Sequence, residues 1–321
     1  MLTIKQIYHL AIELGIKNDL RGAKFVREKL KRSKTKYDKL SDKQKKEFDQ
    51  DKLINPYSDS RFFGNPDQKV KRVLAGIDIE TGEIMLAKEL SKNKPIDLII
   101  GHHPLGPALA GLDEVMDLQV ELLAKYGVPI NIAESLTQVR MSEVARGIAA
   151  INHNQALDAA KLLGINVMCV HTPGDNLVAN FLYKEINKRK KKLVYVEDLM
   201  EFLKEVPEYK AAIKLKAGPK LFTGRLDRYL GKIALTEITG GTSNSKELYA
   251  KMSQAGLGTI VGMHIGEEHR KEAETSHLNV IIAGHMSSDS LGMNLFLDEL
   301  EKKGIEVIVC SGLIRYSRRK R

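Results

Sequence analysis

The chain has 321 residues, 43% of them apolar and 29% charged, with 25 Gly and 9 Pro. That balance excludes a disordered, collagen-like or low-complexity polymer, and the length suffices for a core that needs no covalent staples. The 2 Cys, Cys169 and Cys310, exclude a disulfide scaffold and any four-Cys zinc site. They read as buried thiols in a reducing compartment.

The formal net charge is +10, and it is placed unevenly. Residues 21–52 hold thirteen Lys or Arg against six Asp or Glu, and Arg315 to Arg321 contribute five more basic groups. The body between is near neutral. Such basic ends either bind an anionic partner such as nucleic acid or are simply solvated helical extensions. No aromatic RNA-binding motif or zinc-finger spacing accompanies them. The first twenty residues carry scattered charges and no small-residue cleavage site, unlike a signal peptide. No apolar run reaches the ~20 residues of a membrane span. A soluble cytoplasmic protein is expected, with no membrane partner.

In chain order, Ile4, Ile7, Leu10, Ala11 and Leu14 recur at helical spacing over 3–14. A Lys-rich segment with sparse apolar anchors follows, and Asn55-Pro56 and Gly64-Asn65-Pro66-Asp67 are breakers. Residues 1–54 therefore read as a basic, mainly helical N-terminal extension, dispensable for the rest. Beyond it the pattern predicts strands at 70–79, 97–101, 128–133 and 165–171, with helices at 80–90, 113–126 and 142–163. A first α/β segment is placed at 55–180. A second, at 181–321, carries helices at 180–192, 196–206, 246–254, 267–276 and 288–303. Its strands fall at 232–238, 258–263, 279–283 and 305–310. Strands alternating with helices of this length imply parallel α/β units.

Ligands in open α/β sheets bind beyond the C-terminal ends of strands, and five of the nine His fall there. Gly101-His102-His103-Pro104 follows the apolar run DLII. His171-Thr172-Pro173-Gly174-Asp175-Asn176 follows INVMCV; it can equally be an ordinary turn, with His171 a supporting or core histidine. Gly284-His285-Met286-Ser287-Ser288-Asp289 follows NVIIA, where Asp289 would also suit the start of a helix. Together these strand ends supply His102, His103, Asp175, His285 and Asp289. That donor set suits Zn, Fe or Mn better than Ca, and it is large enough for two ions with a shared bridge. His264 and Glu267, after GTIVGM, are candidate bases, and the Gly240–Ser245 loop is a weak candidate anion cradle.

These motifs resemble the Nif-three-like family, described as dinuclear metal-centre hexameric proteins and as type-two homologues of GTP cyclohydrolase. The resemblance runs from about Asn55 to Leu313. It enters at Asp59 to Pro66 and VKRVLAGIDI, continues through IIGHHPLG, HTPGDN and MHIGE, and ends in GHMSSD. It implies two interlinked α/β halves with mainly parallel, mixed sheets and the metals in the cleft between them. It also implies a ring-like homohexamer and, as metal ligands, the same His102, His103, Asp175, His285 and Asp289. The chain departs from the family at Asp289, where Glu is usual, and at His264, where a hydroxyl or small residue is usual; residues 1–54 match nothing in it. Two functional readings follow. One is a metal-dependent hydrolase of a phosphate-bearing or nucleotide-like small molecule, with Glu267 or His264 moving protons. The alternative is a non-enzymatic metal-binding ring or a nucleic-acid-associated scaffold using the basic ends.

Overall fold

The structure, a computed structural model, describes residues 1–319. Of the basic tail, Lys320 and Arg321 lie outside the described residues.

The N-terminal helix α1 (Ile4–Asn18) starts at a reciprocal cap: Thr3 Oγ1 accepts from Gln6 N at 3.3 Å, and Gln6 Oε1 accepts from Thr3 N at 2.9 Å. One face carries Ile4, Ile7, Tyr8, Ala11, Ile12 and Ile16, all buried in the main core. Residues 1–54 are helical, as the periodicity predicts, but α1 is a core element and cannot be dispensable. The charge lies on α2 (Ala23–Asp38), where Val26 alone is buried, and on α3 (Asp42–Glu47), which buries nothing.

The first sheet comprises β1 (Ser60–Phe63), β2 (Arg72–Gly76), β3 (Leu98–Gly101), β4 (Val167–Val170) and β9 (Glu306–Val309), in the order β1-β4-β3-β2-β9. All its pairings are parallel except β1 with β4. Strands β3 and β4 are wholly buried apolar runs, as befits strands covered on both faces. Between the strands run α4 (Thr81–Leu90), α5 (Pro107–Ala110), α6 (Asp117–Tyr126), α7 (Ile130–Ala149) and α8 (Gln155–Leu163). The second sheet, ordered β5-β8-β7-β6, contains β5 (Lys220–Thr223), β6 (Lys232–Glu237), β7 (Leu257–Gly262) and β8 (Asn279–Ile282). Only its edge strand β5 is antiparallel. Its helices are α9 (Thr172–Arg189), α10 (Val196–Glu205), α11 (Pro207–Lys214), α12 (Leu248–Gln254) and α13 (Glu267–Thr275). Helix α14 (His285–Lys302) then leads from β8 back to β9 in the first sheet, so the chain laces the two sheets together. Among the described residues, no helix is long and apolar enough to cross a membrane.

Three sequence expectations fail locally. Residues 128–133 are not a strand: Pro129 is the N-cap of α7, and the apparent alternation of Ile130 and Ile132 is the start of a helix. The helix expected over 142–163 is broken at 150–154 between α7 and α8. The HTPGDN segment is not a turn but the first turn of α9, with Pro173 at a helix-opening position where its missing N–H costs nothing. The edge strands β1 and β5 have no signal in the periodicity.

Through Arg319 the tail is pinned to the body by ion pairs. Arg318 makes a bidentate pair with the fully buried carboxylate of Glu208, at 2.5 and 2.6 Å. Arg315 pairs with Asp298 at 2.5 Å, and Arg319 with Glu301 at 3.0 Å.

Candidate metal centre

The parallel strands of both sheets end at one place. From the first sheet, β2 leads to Asp78, β3 to His102 and His103, and β4 to His171. From the second, β6 ends in Glu237, β7 leads to His264, and β8 to His285 at the start of α14. Two helices complete the cluster. His171 and Asp175 lie four residues apart at the start of α9, and His285 and Asp289 four apart at the start of α14, so each pair shares a helix face. These two helices pack closely because Gly174 and Gly292 meet without side chains. The ring of His102 also lies 3.1 Å from where a Gly174 Cβ would be, so any larger residue there would press on the imidazole.

Each of three imidazoles is held at Nδ1 by an acceptor, which fixes the tautomer and leaves Nε2 free for the cluster. His102 Nδ1 donates to Val170 O at 3.1 Å, His103 Nδ1 to Asp78 at 2.6 Å, and His171 Nδ1 to Asp59 Oδ2 at 2.8 Å. Asp59 Oδ2 also accepts from Thr172 Oγ1 at 2.6 Å.

The free atoms converge. His102 Nε2 lies 3.4 Å from Asp175 Oδ1 and 3.5 Å from Asp289 Oδ1. Asp289 Oδ2 lies 3.5 Å from His103 Nε2 and 3.6 Å from His285 Nε2. His102, Asp175 and Asp289 thus form one group whose ligand atoms lie within 4.8 Å of one another, and His103, His285 and Asp289 form another. The two groups share Asp289, whose two oxygens face one group each. His102, His103 and His171 form a third such group.

His102 Nε2, Asp175 Oδ1 and both Asp289 oxygens are buried and have no hydrogen-bond partner. A buried polar atom without a partner costs about 1–3 kcal/mol, more for a charge, so four in one place are a poor apo structure. Imidazole nitrogen and carboxylate oxygen are the donors that Zn, Fe or Mn take, and the convergence fits a divalent cation.

Burial dominates the proton affinities. It pushes the His102 imidazole down to about 3, His264 down to about 4, Asp175 up to about 6 and Glu237 up to about 7. At His103 burial is outweighed by Asp289 and Asp78, which hold the imidazole up at about 10. At Asp59 burial is outweighed by His171, and the carboxyl lies below its usual range.

The structure therefore brings all five sequence-derived ligands together, and His264 with them: its ring centroid is 5.1 Å from that of His285. Glu267 is not brought in. Its carboxylate is clamped by Arg270 on the outside of α13, with both oxygens at 2.9 Å from the guanidinium. The acid that does line a small cavity with Asp175, His171 and His285 is Glu237, which in the sequence is only the end of a strand. His171 joins the cluster rather than the core. Asp59 and Asp78 are visible within the family-like motifs but acquire a role only once their imidazole partners are placed. The Gly240–Ser245 loop borders the cluster, but the amide of Gln119 caps its carbonyls, and Lys246 pairs with Glu268 at 3.4 Å, so the loop offers no cation.

Two α/β sheets joined by a returning helix, with a buried imidazole–carboxylate cluster at their shared strand ends, define the class of protein. A NIF3 superfamily protein from Sphaerobacter thermophilus superposes with a TM-score of 0.71 at 30% identity, covering 80% of this chain and 92% of that one. The chain belongs to the NIF3 superfamily. Weaker structural likenesses include reduced HcgD from Methanocaldococcus jannaschii (TM-score 0.45, 14% identity, 77% and 86% coverage). Another is TTHA1606 from Thermus thermophilus (TM-score 0.45, 16% identity, 82% and 92% coverage). No family sequence model matches the chain, and no curated protein does.

Proposed function

We propose that this protein holds two divalent cations, Zn, Fe or Mn, and uses them to hydrolyse a phosphate-bearing or nucleotide-like small molecule. The observation that carries the reading is the sharing of Asp289 between two three-ligand groups built from otherwise unpartnered buried atoms. His102, Asp175 and Asp289 would hold one ion, and His103, His285 and Asp289 the other. Three protein ligands per ion leave positions for a substrate, as catalytic sites require and closed structural sites do not. The bound cations would supply Lewis-acid polarisation of a phosphoryl or carbonyl oxygen.

The rest is done by the chain. Asp59, Asp78 and Val170 O orient the three imidazoles. The fold buries His102, Asp175 and Asp289 while leaving His103 and His285 open to the cleft. Glu237, raised to about 7 by burial, can hold a proton on its carboxyl oxygen near neutral pH, which Glu267 on the outer face cannot do for this site. We further propose a cytoplasmic homo-oligomer, a hexamer as the family resemblance implies. Exposed Phe222, Leu226 and Tyr229 around edge strand β5 supply apolar surface for such contacts. Nucleic acid, if bound, would engage α2 and α3 rather than Arg315, Arg318 and Arg319, which are held in ion pairs.

The test is metal-loaded protein against a panel of phosphoesters and nucleotides. Turnover that is lost on chelation and in Asp175→Asn supports the hydrolase reading. Full metal occupancy with no turnover of any compound would instead favour the non-enzymatic metal-binding ring.

A further inference from the structure

The cleft that opens onto the cluster has a volume of about 370 Å³, enough for a small organic molecule. One wall is apolar, made by Ile79, Pro104, Leu105, Leu109 and Leu112. The rest of the lining is mainly imidazole and hydroxyl: His103, His171, His264, His285 and Thr242. Among the described residues, no Lys or Arg lines this cleft or the smaller cavity behind it. The carboxylates that line it are those of Asp78 and Glu80.

A substrate with several phosphates needs several cationic partners, and those beyond the metals would here meet carboxylates and leucines. We infer that the substrate carries a single anionic group, bound at the metal centre, on an apolar and uncharged body that lies against the Leu105–Leu109–Leu112 wall: a phosphomonoester of an aryl-sized compound rather than a nucleoside polyphosphate. This inference rests on the metal-centre reading and narrows its substrate class. The apolar wall contributes through area removed from water, so affinity should rise with the size of the body.

The experiment is calorimetric binding to metal-loaded protein, with free metal buffered and metal content measured on the same sample. The probes are methylphosphonate, phenylphosphonate and adenosine diphosphate. Phenylphosphonate should bind at least tenfold more tightly than methylphosphonate and than adenosine diphosphate. Leu109→Lys, which places a cation in the cleft, should reverse the second preference while leaving metal content unchanged. Equal affinity for methyl- and phenylphosphonate, or tighter adenosine diphosphate in the wild-type protein, overturns the inference and leaves the metal centre standing. Protein that takes up no metal overturns the metal centre itself, and this inference with it.

Discussion

Gly292→Ala should damage stability and metal binding together, because it strikes the contact that sets the spacing of Asp175 and Asp289. A Cβ at position 292 would lie 2.5 Å from Gly174 O, 2.9 Å from Gly174 C and 3.0 Å from Val178 Cγ2. Approaches under 3.0 Å are essentially never seen for a Cβ, and the atoms met first are backbone, so α9 and α14 must part by about half an ångström. Overpacking of this kind costs ~1–3 kcal/mol, while replacing Gly by Ala inside a helix returns ~1 kcal/mol. A net loss of up to ~2 kcal/mol in the metal-free protein is expected. Ligand sets tolerate displacements of only ~0.5 Å, so metal affinity should fall tenfold or more. Gly147→Ala in α7, where an added Cβ meets nothing, is the control and should stabilise by ~0.5–1 kcal/mol. Chemical denaturation gives the first quantity, and competition with a chromogenic chelator the second. A Gly292→Ala protein as stable as wild type with unchanged metal affinity would refute the argument that this helix contact positions the ligands.

Asp289→Asn should abolish metal binding, since Asp289 is shared by both ligand groups, and isothermal titration with Zn or Mn measures it; a variant that keeps wild-type metal affinity would count against that account. Deleting residues 1–52 removes the buried face of α1, with Ile4, Ile7, Tyr8, Ala11, Ile12 and Ile16; at ~1.5–3 kcal/mol per large buried side chain the loss is comparable to the whole ~5–15 kcal/mol stability of a typical domain, and circular dichroism should show an unfolded or insoluble protein. If a substrate is found, Glu237→Gln should lower kcat at least tenfold while Glu267→Gln leaves it within twofold, and the reverse ordering would return the proton-transfer role to Glu267.

Much of this is legible in the sequence because buried parallel strands are short apolar runs, and a His or Asp directly after such a run lies at a strand end. LIIG and VMCV announce β3 and β4 in this way, and the five candidate ligands follow from them and from β8. The features without a sequence signal share a different cause. Edge strands β1 and β5 are paired on one side only, so half-exposed residues such as Arg61 and Phe222 blur the alternation. In the first turn of α9, Pro-Gly-Asp-Asn has turn composition, and its helical state is set by burial against α1 and α14 rather than by local propensity. Asp59 and Asp78 sit in family-like motifs and Glu237 at a strand end, but nothing local announces what they do. Their roles depend on which imidazole or cavity they face, which is a matter of tertiary structure.

The central claim is that the buried cluster is a two-ion metal centre. It is tested most directly by measuring metal on protein purified without chelator or affinity-column metal, using plasma mass spectrometry, together with the Asp289→Ala variant. The account predicts about two divalent ions per chain in the wild-type protein and a large loss of both in the variant, because Asp289 belongs to both ligand groups. A wild-type protein that holds no divalent metal, and takes up none when Zn, Fe or Mn is supplied, would contradict it.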